Sequence, residues 1–452
     1  MNFGMGKADR MSAIFIKKWY ILMLVITVIV IYLIMLWSYQ AKPVLLAPNR
    51  NRFLPIKDLV SGYNQDWLVE TCTKNKMDLS IKNLAGFVEK WELSSDPLCS
   101  QLYKKFSAIY SIEKNAAPLK LPDLFQVKVK KWLNNDEKLF EEVYHQEVTG
   151  IYNKWTREHT IFNPLREKRP VSIPEEPENI YVNRLVEKSK VSCDFCRYKD
   201  YTAEDTFGRL DSVHAFSASN AFKLERYHDL FALKSHHPHQ WNIDQYMDLM
   251  NLTQKWFALI HTIEPDFCCP SLVWDILPRA GASQIHPHMH GLVGQNRYHG
   301  GVENWRRGAD DYYSFYHSNY FSDLIQVNTA LGLTVQHGDA IAFANIVPKK
   351  DNEVVIISNK ASQSFFQLIY YVMRAFIDDM DKLAISMGIG CPSLDHNAKQ
   401  MPAVARIVTR GAVADVRTDM SSLELFSVTN VNIDPFKVIK HIRNSVEKRA
   451  SK

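Results

Sequence analysis

Three histidines spaced two apart constrain this chain more than any other stretch. They lie in Gly281-Ala282-Ser283-Gln284-Ile285-His286-Pro287-His288-Met289-His290-Gly291. In an extended strand, side chains at i, i+2 and i+4 point to one face, so all three imidazoles would line a single surface within reach of one ligand. Pro287 has no N–H to give to a ladder and places the row at a strand end or an edge. With 16 His in 452 residues, composition alone produces such a triplet with a probability of roughly 0.02 per chain. A surface histidine cluster and an adventitious metal site are the simpler readings of the same stretch.

At 452 residues, 46% apolar and 23% charged, the chain has room for one large domain or two to three ordinary ones, with an adequate core. The net charge of +5 is spread along the chain. No dense basic run with interleaved aromatics occurs, so nucleic acid is not an expected partner. Trp19 to Trp37 is an uncharged apolar run flanked by Trp19, Tyr20, Trp37 and Tyr39. As a helix it would rise about 30 Å, the thickness of a hydrocarbon core, so a retained membrane anchor over 19–39 is expected, with the lipid bilayer as a partner. A cleaved signal peptide is the alternative, against which stands the lack of a small-x-small cleavage site after Trp37. Lys7, Arg10, Lys17 and Lys18 precede it and Lys42, Arg50 and Arg52 follow. This bias leans towards a type II arrangement, a short cytoplasmic tail (1–18) and the bulk of the chain in the ER or Golgi lumen or outside. In such a lumen Cys72 and Cys99, two of the seven cysteines, could form a disulfide.

Residues 40–155 read as a stem and helical accessory region, from Phe87, Trp91, Leu102, Phe106 and Tyr110 and then Trp132, Phe140, Val143 and Tyr144 at three-to-four spacing. From about 156 the grammar changes. Cys193-Asp194-Phe195-Cys196 is a CxxC open to zinc, a redox pair or a structural disulfide. Arg209 to Ala215 and Leu230 to Lys234 read as strands, Ile243 to Ile260 as a helix, and Cys268 to Ile276 as a strand leading to the His row. A fainter second copy follows: strands over 340–348 and 353–358, a long helix from Ser362 to Met387, a strand over 403–410 and a helix from Asp434 to Lys448. This predicts an α+β fold, with a first repeat over 156–310 and a second over 311–452.

Together these residues resemble the galactose-1-phosphate uridylyltransferase branch of the histidine-triad superfamily, over about 160 to 440. The resemblance is carried by Asn163-Pro164-Leu165, Arg169-Pro170, the CxxC, Asn220-Ala221-Phe222, His237 with Trp256, Ser283-x-x-His286-Pro287-His288, and Pro348 to Glu353. It implies two histidine-triad-like repeats, antiparallel sheets with packed helices, forming an internal pseudo-dimer whose first half is catalytically equipped. It also implies a structural Cys2His2 zinc site of Cys193, Cys196, His237 and His286. His288 would be the nucleophile towards the α-phosphorus of a nucleotide sugar, with transfer of the nucleotidyl group to a phosphate or sugar-phosphate acceptor. Ser283 and His290 would stabilise phosphoryl charge. Asn220, Phe222, Asp275, Gln284 and Arg169 would contact substrate. A homodimer is compatible with this reading.

Three departures bear on the expectation. His290 stands where the family's transferases have Gln, Asp275 stands where the family has Asn, and the second half carries Arg406 and Arg410 in place of a His row. His can deliver a proton where Gln cannot. A hydrolase of nucleotide sugars or dinucleotides, and a nucleotide-binding membrane protein without catalysis, are therefore the alternatives. Lys349, Lys350, Arg406 and Arg410 are candidates for an acceptor phosphate or for solvated surface charge.

Overall fold

The computed structural model describes residues 19, 23–32, 56, 63–74, 78–169, 176–295, 297–395, 401–415 and 418–451. Contacts divide the chain into two units, Met1–Arg52 and Phe53–Lys452. In the first, the described helix covers residues 23–32, a rise of about 15 Å, half a hydrocarbon core. Residues 20–22 and 33–39 of the expected anchor lie outside the described residues. Among the described residues no helix is long and apolar enough to cross a membrane. This corrects the expected transmembrane helix, and with it the single-pass type II localisation.

In the second unit the accessory region is more than helical. Helices α1 (Ile81–Glu92) and α2 (Pro97–Ile109) bury Phe87, Trp91, Leu102 and Phe106, and Cys72 is bonded to Cys99. Asp96 caps α2 by accepting from the N–H groups of Leu98 and Cys99. Strand β1 (Tyr110–Pro118) then leads through helices α3 (Asp123–Trp132) and α4 (Glu137–Tyr144) to β2 (His145–Asn153). The two strands pair in register from Tyr110↔Asn153 to Pro118↔His145. Strand β3 (His159–Phe162) joins β2, and β13 (Val428–Val431), from the far end of the chain, joins β3 in parallel. No local periodicity announces that last pairing, because its partners are some 270 residues apart.

A nine-stranded antiparallel sheet makes the rest of the core, in the order β4-β5-β7-β6-β11-β12-β10-β9-β8. After helix α5 (Glu178–Lys190) its first half runs β4 (Ala215–Ser219), β5 (Tyr227–Leu233), helix α6 (Ile243–Ile263), β6 (Cys269–Ile276) and β7 (His288–Gly294). After α7 (Gly300–Tyr316), α8 (Tyr320–Ala330) and the edge strand β8 (Thr334–His337), the second half repeats that run. It has β9 (Ala340–Ala344), β10 (Val354–Ser358), helix α9 (Gln363–Arg374), β11 (Ile385–Gly390) and β12 (Ala403–Thr409), and helix α10 (Pro435–Ala450) follows β13. The strand order of one half is the reverse of the other, with β6 and β11 paired where the halves meet.

Strands β4, β9 and β10 are buried along their whole length, which accounts for their unbroken apolar or small-residue runs. Helix α6 starts in a capping box of Asn242 and Gln245 and presents Tyr246, Leu249, Met250, Trp256, Phe257 and Ile260 to the core. The long helix expected from Ser362 to Met387 is shorter. It ends at Arg374, a π-turn carries the chain to Asp379, and Asp381 has a positive φ of 51°. Beyond this break Ile385-Ser386-Met387-Gly388-Ile389 alternates with period two and becomes β11.

Candidate active site and metal centre

The His row is divided between two tasks. His288 and His290 lie in β7 with ring centroids 5.4 Å apart, as alternation requires of residues sharing a face. His286 precedes the ladder. The strand begins at His288, so the alternation rule does not extend to His286. Its fully buried ring donates from Nε2 to the Leu233 carbonyl.

That donation leaves the Nδ1 lone pair of His286 aimed at three neighbours: Cys193 Sγ at 3.4 Å, Cys196 Sγ at 3.6 Å and His236 Nδ1 at 3.3 Å. His236 faces the Val186 carbonyl and the Ser189 hydroxyl through Nε2, at 3.2 and 3.0 Å, which leaves its own Nδ1 towards the cluster. All four ligand atoms lie within 4.8 Å of one another. A tetrahedral zinc ion with bonds of about 2.0–2.3 Å sets ligand atoms about 3.3–3.8 Å apart. Two imidazole nitrogens facing each other at 3.3 Å beside two thiols suit a cation between them, and each ring is oriented by a carbonyl behind it. The donor set therefore fits a closed structural zinc site, and Cys193 and Cys196 are free thiols, not a disulfide.

One expected ligand is corrected. His236, not His237, supplies the fourth donor. The His237 ring lies 3.4 Å from Asn183 Oδ1, and its Nδ1 accepts from the His239 N–H. Sequence offers two adjacent histidines after β5; contact with α5, which brings Val186 and Ser189, decides which one turns inward.

His288 is 5% exposed and packs beneath Phe195, ring centroids 5.0 Å apart. Its Nδ1–H donates to the His286 carbonyl at 2.8 Å, so the unprotonated nitrogen is Nε2. Burial pushes its pKa down to about 4, offset in part by that carbonyl, and the ring is neutral at pH 7. His290 is half-buried, and burial lowers its pKa against the opposing pull of Asp275. Its Nδ1 meets Nε2 of His228, in β5, at 2.9 Å.

His228 was not anticipated. Its Nδ1 accepts the Leu224 N–H at 3.0 Å. Its Nε2 faces Asn220 Nδ2 at 3.3 Å as well as His290. A neutral imidazole whose Nδ1 accepts carries its one proton on Nε2, and His290 Nδ1, the nearer neighbour and the one able to accept, receives it. Burial, with His290 and Lys223 adding, pushes the pKa of His228 down to about 4. The sequence held one signal for it: Asn220 precedes His228 at the spacing by which Asn345 precedes Glu353.

Asn220 Oδ1 accepts the Phe222 N–H at 2.9 Å and shapes the turn beside His228, whereas the Phe222 ring is 89% exposed. Asp275, in β6, accepts from Ser386 Oγ at 2.6 Å, and Arg410 donates to the same hydroxyl, so Asp275 sits in a polar cluster shared by the two halves. Gly281 has a φ of +118°, and a Cβ there would lie 3.4 Å from Asp275 Oδ2. Ser283 is exposed and Gln284 half-buried, both ahead of the strand. Arg169 is exposed and lines a cavity of about 840 Å³ with Arg166, Lys349, Lys350 and Lys382, in which none of the row's histidines takes part. Arg406 is paired with Glu158 and Glu353, Arg410 with Asp419, and Lys350 with Glu424. These three cations have carboxylate partners within the chain.

No family model and no curated protein matches the chain. Among solved structures it is similar to an ADP-glucose phosphorylase from Arabidopsis thaliana with bound ADP-glucose. That match has a TM-score of 0.50 and 13% identity, covering 66% of this chain and 98% of that one. A uridylyltransferase matches with a TM-score of 0.45 and 11% identity over 66% of this chain and 98% of that one. A GalT-like protein, also from Arabidopsis thaliana, matches at 0.44 and 14% over 56% and 91%. The first of these likenesses speaks for the fold alone: the chain shares the fold of that ADP-glucose phosphorylase.

Proposed function

We propose that this protein is a nucleotidyl-transferring enzyme working through a nucleotidyl-histidine at position 288. The observation that carries the reading is the state of the His288 ring: buried, neutral, its proton fixed on Nδ1 by the His286 carbonyl, and Nε2 left bare. Such an imidazole is a nucleophile at neutral pH. Nε2 forms a bond to the α-phosphorus of a nucleotide sugar, and the bond from that phosphorus to the bridging oxygen breaks, releasing a sugar phosphate. A phosphate oxygen of the acceptor then attacks the same phosphorus and frees Nε2.

His290, with Nδ1 capped by His228, offers Nε2–H to a phosphoryl oxygen. In this state it behaves as the amide of a Gln would, which supports transfer to a phosphate over hydrolysis. The Cys193, Cys196, His236 and His286 donors would hold zinc as a structural ion that clamps the segment before β7 to the segments following α5 and β5. Nucleotide sugars are the substrate class, ADP-sugars being the first to try given the ligand of the ADP-glucose phosphorylase.

The test is to incubate the protein with ADP-, UDP- and GDP-sugars carrying label in the nucleotide, with and without phosphate, and to quench in alkali. Label is expected on His288 and is lost in a folded His288→Ala variant. A wild-type protein that neither labels nor turns over any of them sinks the reading.

A further inference from the structure

The polar network around His290 exists twice in the molecule with different chemistry. In the first half Asn220 accepts the Phe222 N–H, the Leu224 N–H donates to residue 228, and residue 228 meets residue 290. In the second half Asn345 accepts the Val347 N–H, the Lys349 N–H donates to residue 353, and residue 353 meets residue 406. The spacing in the sequence is the same as far as residues 228 and 353; the partner then lies 62 residues on in the first half and 53 in the second. Residue 228 is His where residue 353 is Glu, and residue 290 is His where residue 406 is Arg. An acceptor-only carboxylate facing a donor-only guanidinium occupies the position that an imidazole pair occupies in the catalytic half.

We infer that His228 is a positioning residue that selects the acceptor: it holds His290 with the proton on Nε2, so that the site passes the nucleotidyl group to a phosphate anion and not to water. This rests on the reading of His288 given above and names the acceptor class for the same site. A phosphate acceptor brings an oxygen already stripped of its proton and needs only a hydrogen-bond donor on the phosphoryl group. Water must lose a proton as it attacks, and the base has to be a bare nitrogen. His290 Nε2 cannot be that nitrogen while His228 Nε2–H donates to Nδ1. A carboxylate at 228 would reverse the polarity: it accepts Nδ1–H of His290, bares Nε2, and supplies the base. The second half shows that a Glu fits the same frame, since Glu353 there takes both the backbone N–H of Lys349 and the amide of Asn345.

The charged and titratable groups facing His290 are His228 from β5, His288 from its own strand and Asp275 from β6. Lys223 lies behind His228 with its partner Asp205. Asp275 is the one carboxylate among those facing His290, and its partner Ser386 donates to it.

The test compares wild type, His228→Glu and His228→Gln on one labelled nucleotide sugar with phosphate and with water alone. Gln can accept the Leu224 N–H and still donate to His290, so it is expected to keep the low ratio of hydrolysis to phosphorolysis. Glu is expected to raise that ratio by about 10²-fold, the range of a general base, with an acid limb in the hydrolysis rate that wild type lacks. An unchanged ratio in His228→Glu, with nucleotidyl-His288 still forming, overturns the inference, as does a Gln variant that hydrolyses as well as the Glu variant. ¹⁵N spectra of histidine-labelled protein separate this from failure of the enzyme reading. His290 should show its proton on Nε2 in wild type and on Nδ1 in His228→Glu, whether or not any sugar nucleotide turns over. The proton on Nδ1 in wild type refutes the inference by itself.

Discussion

Arg406 sits in the second half where His290 sits in the first, and its removal gives a quantitative test of the ion pair that stands there. The guanidinium donates to Glu158 through Nη1 and to Glu353 through Nη2 and Nε at 2.7 and 3.1 Å, above the Trp305 ring at 5.2 Å. Burial pulls its pKa down, and Glu158 and Glu353 more than offset this, holding the group charged. Arg406→Met strands two buried carboxylates. Glu353 keeps the Lys349 N–H and Asn345, and Glu158 keeps Thr156 and the Lys349 ammonium at 3.8 Å. Breaking a buried pair costs about 3–5 kcal/mol, and these residual partners place the loss near the lower end, about 3 kcal/mol. Adding Glu158→Gln and Glu353→Gln removes the stranded charges and should bring stability back to within about 1 kcal/mol of wild type, so the three changes are strongly non-additive. Urea unfolding followed by tryptophan fluorescence and far-ultraviolet dichroism measures both quantities. A single variant within about 1 kcal/mol of wild type, or a triple variant that loses the sum of its parts, would refute the reasoning.

Two further outcomes are expected. Purified protein should carry one zinc per chain by elemental analysis; Cys193→Ser and His236→Ala should lose it and His237→Ala keep it, with chelation lowering Tm by roughly 5–10 °C, and the opposite behaviour of the two histidines would refute the assignment. Asp229 is fully buried beside the Asp205 carboxyl, and burial, helped by Asp205, raises its pKa to about 8. The folded state therefore binds a proton that the unfolded state releases near pH 4, and stability falls as pH rises from there to about 8. Asp229→Asn should be more stable than wild type by on the order of a few kcal/mol at pH 8.5, with the gap closing by pH 4; a constant gap across a pH series of melting curves counts against it.

Much of the site was legible because its signals are local. The CxxC, the pair His288 and His290 and the Asn-x-Phe turn each act within a few residues, where alternation and turn chemistry hold. The apolar runs at 269–276, 340–344 and 354–358 became strands for the same reason. Where a signal competed with contacts from elsewhere, local reasoning failed. Apolar spacing ran the helix on from Ser362 through residues that pair with β6 as β11. The three-to-four pattern ending at Tyr110 continued into a strand whose partner, β2, is set by register across the α3–α4 excursion. The apolar run at 19–37 met the length rule for a membrane span, whereas the helix described there covers only residues 23–32.

The sequence by itself determined that this chain carries a row of histidines leading into a strand, a CxxC cysteine pair, and two copies of one strand-and-helix pattern. Periodicity and turn preference are properties of neighbours along the chain, and neighbours suffice to set them. Tertiary structure alone decided that His236 and not His237 joins the cysteine pair, that His286 leaves the ladder, and that His228 meets His290. It also decided that Arg406 fills the second half with an ion pair. Each of those outcomes depends on a carbonyl, a carboxylate or an imidazole brought from tens to hundreds of residues away. A proton or a lone pair takes its place from what lies across the gap, not from what precedes it in the chain.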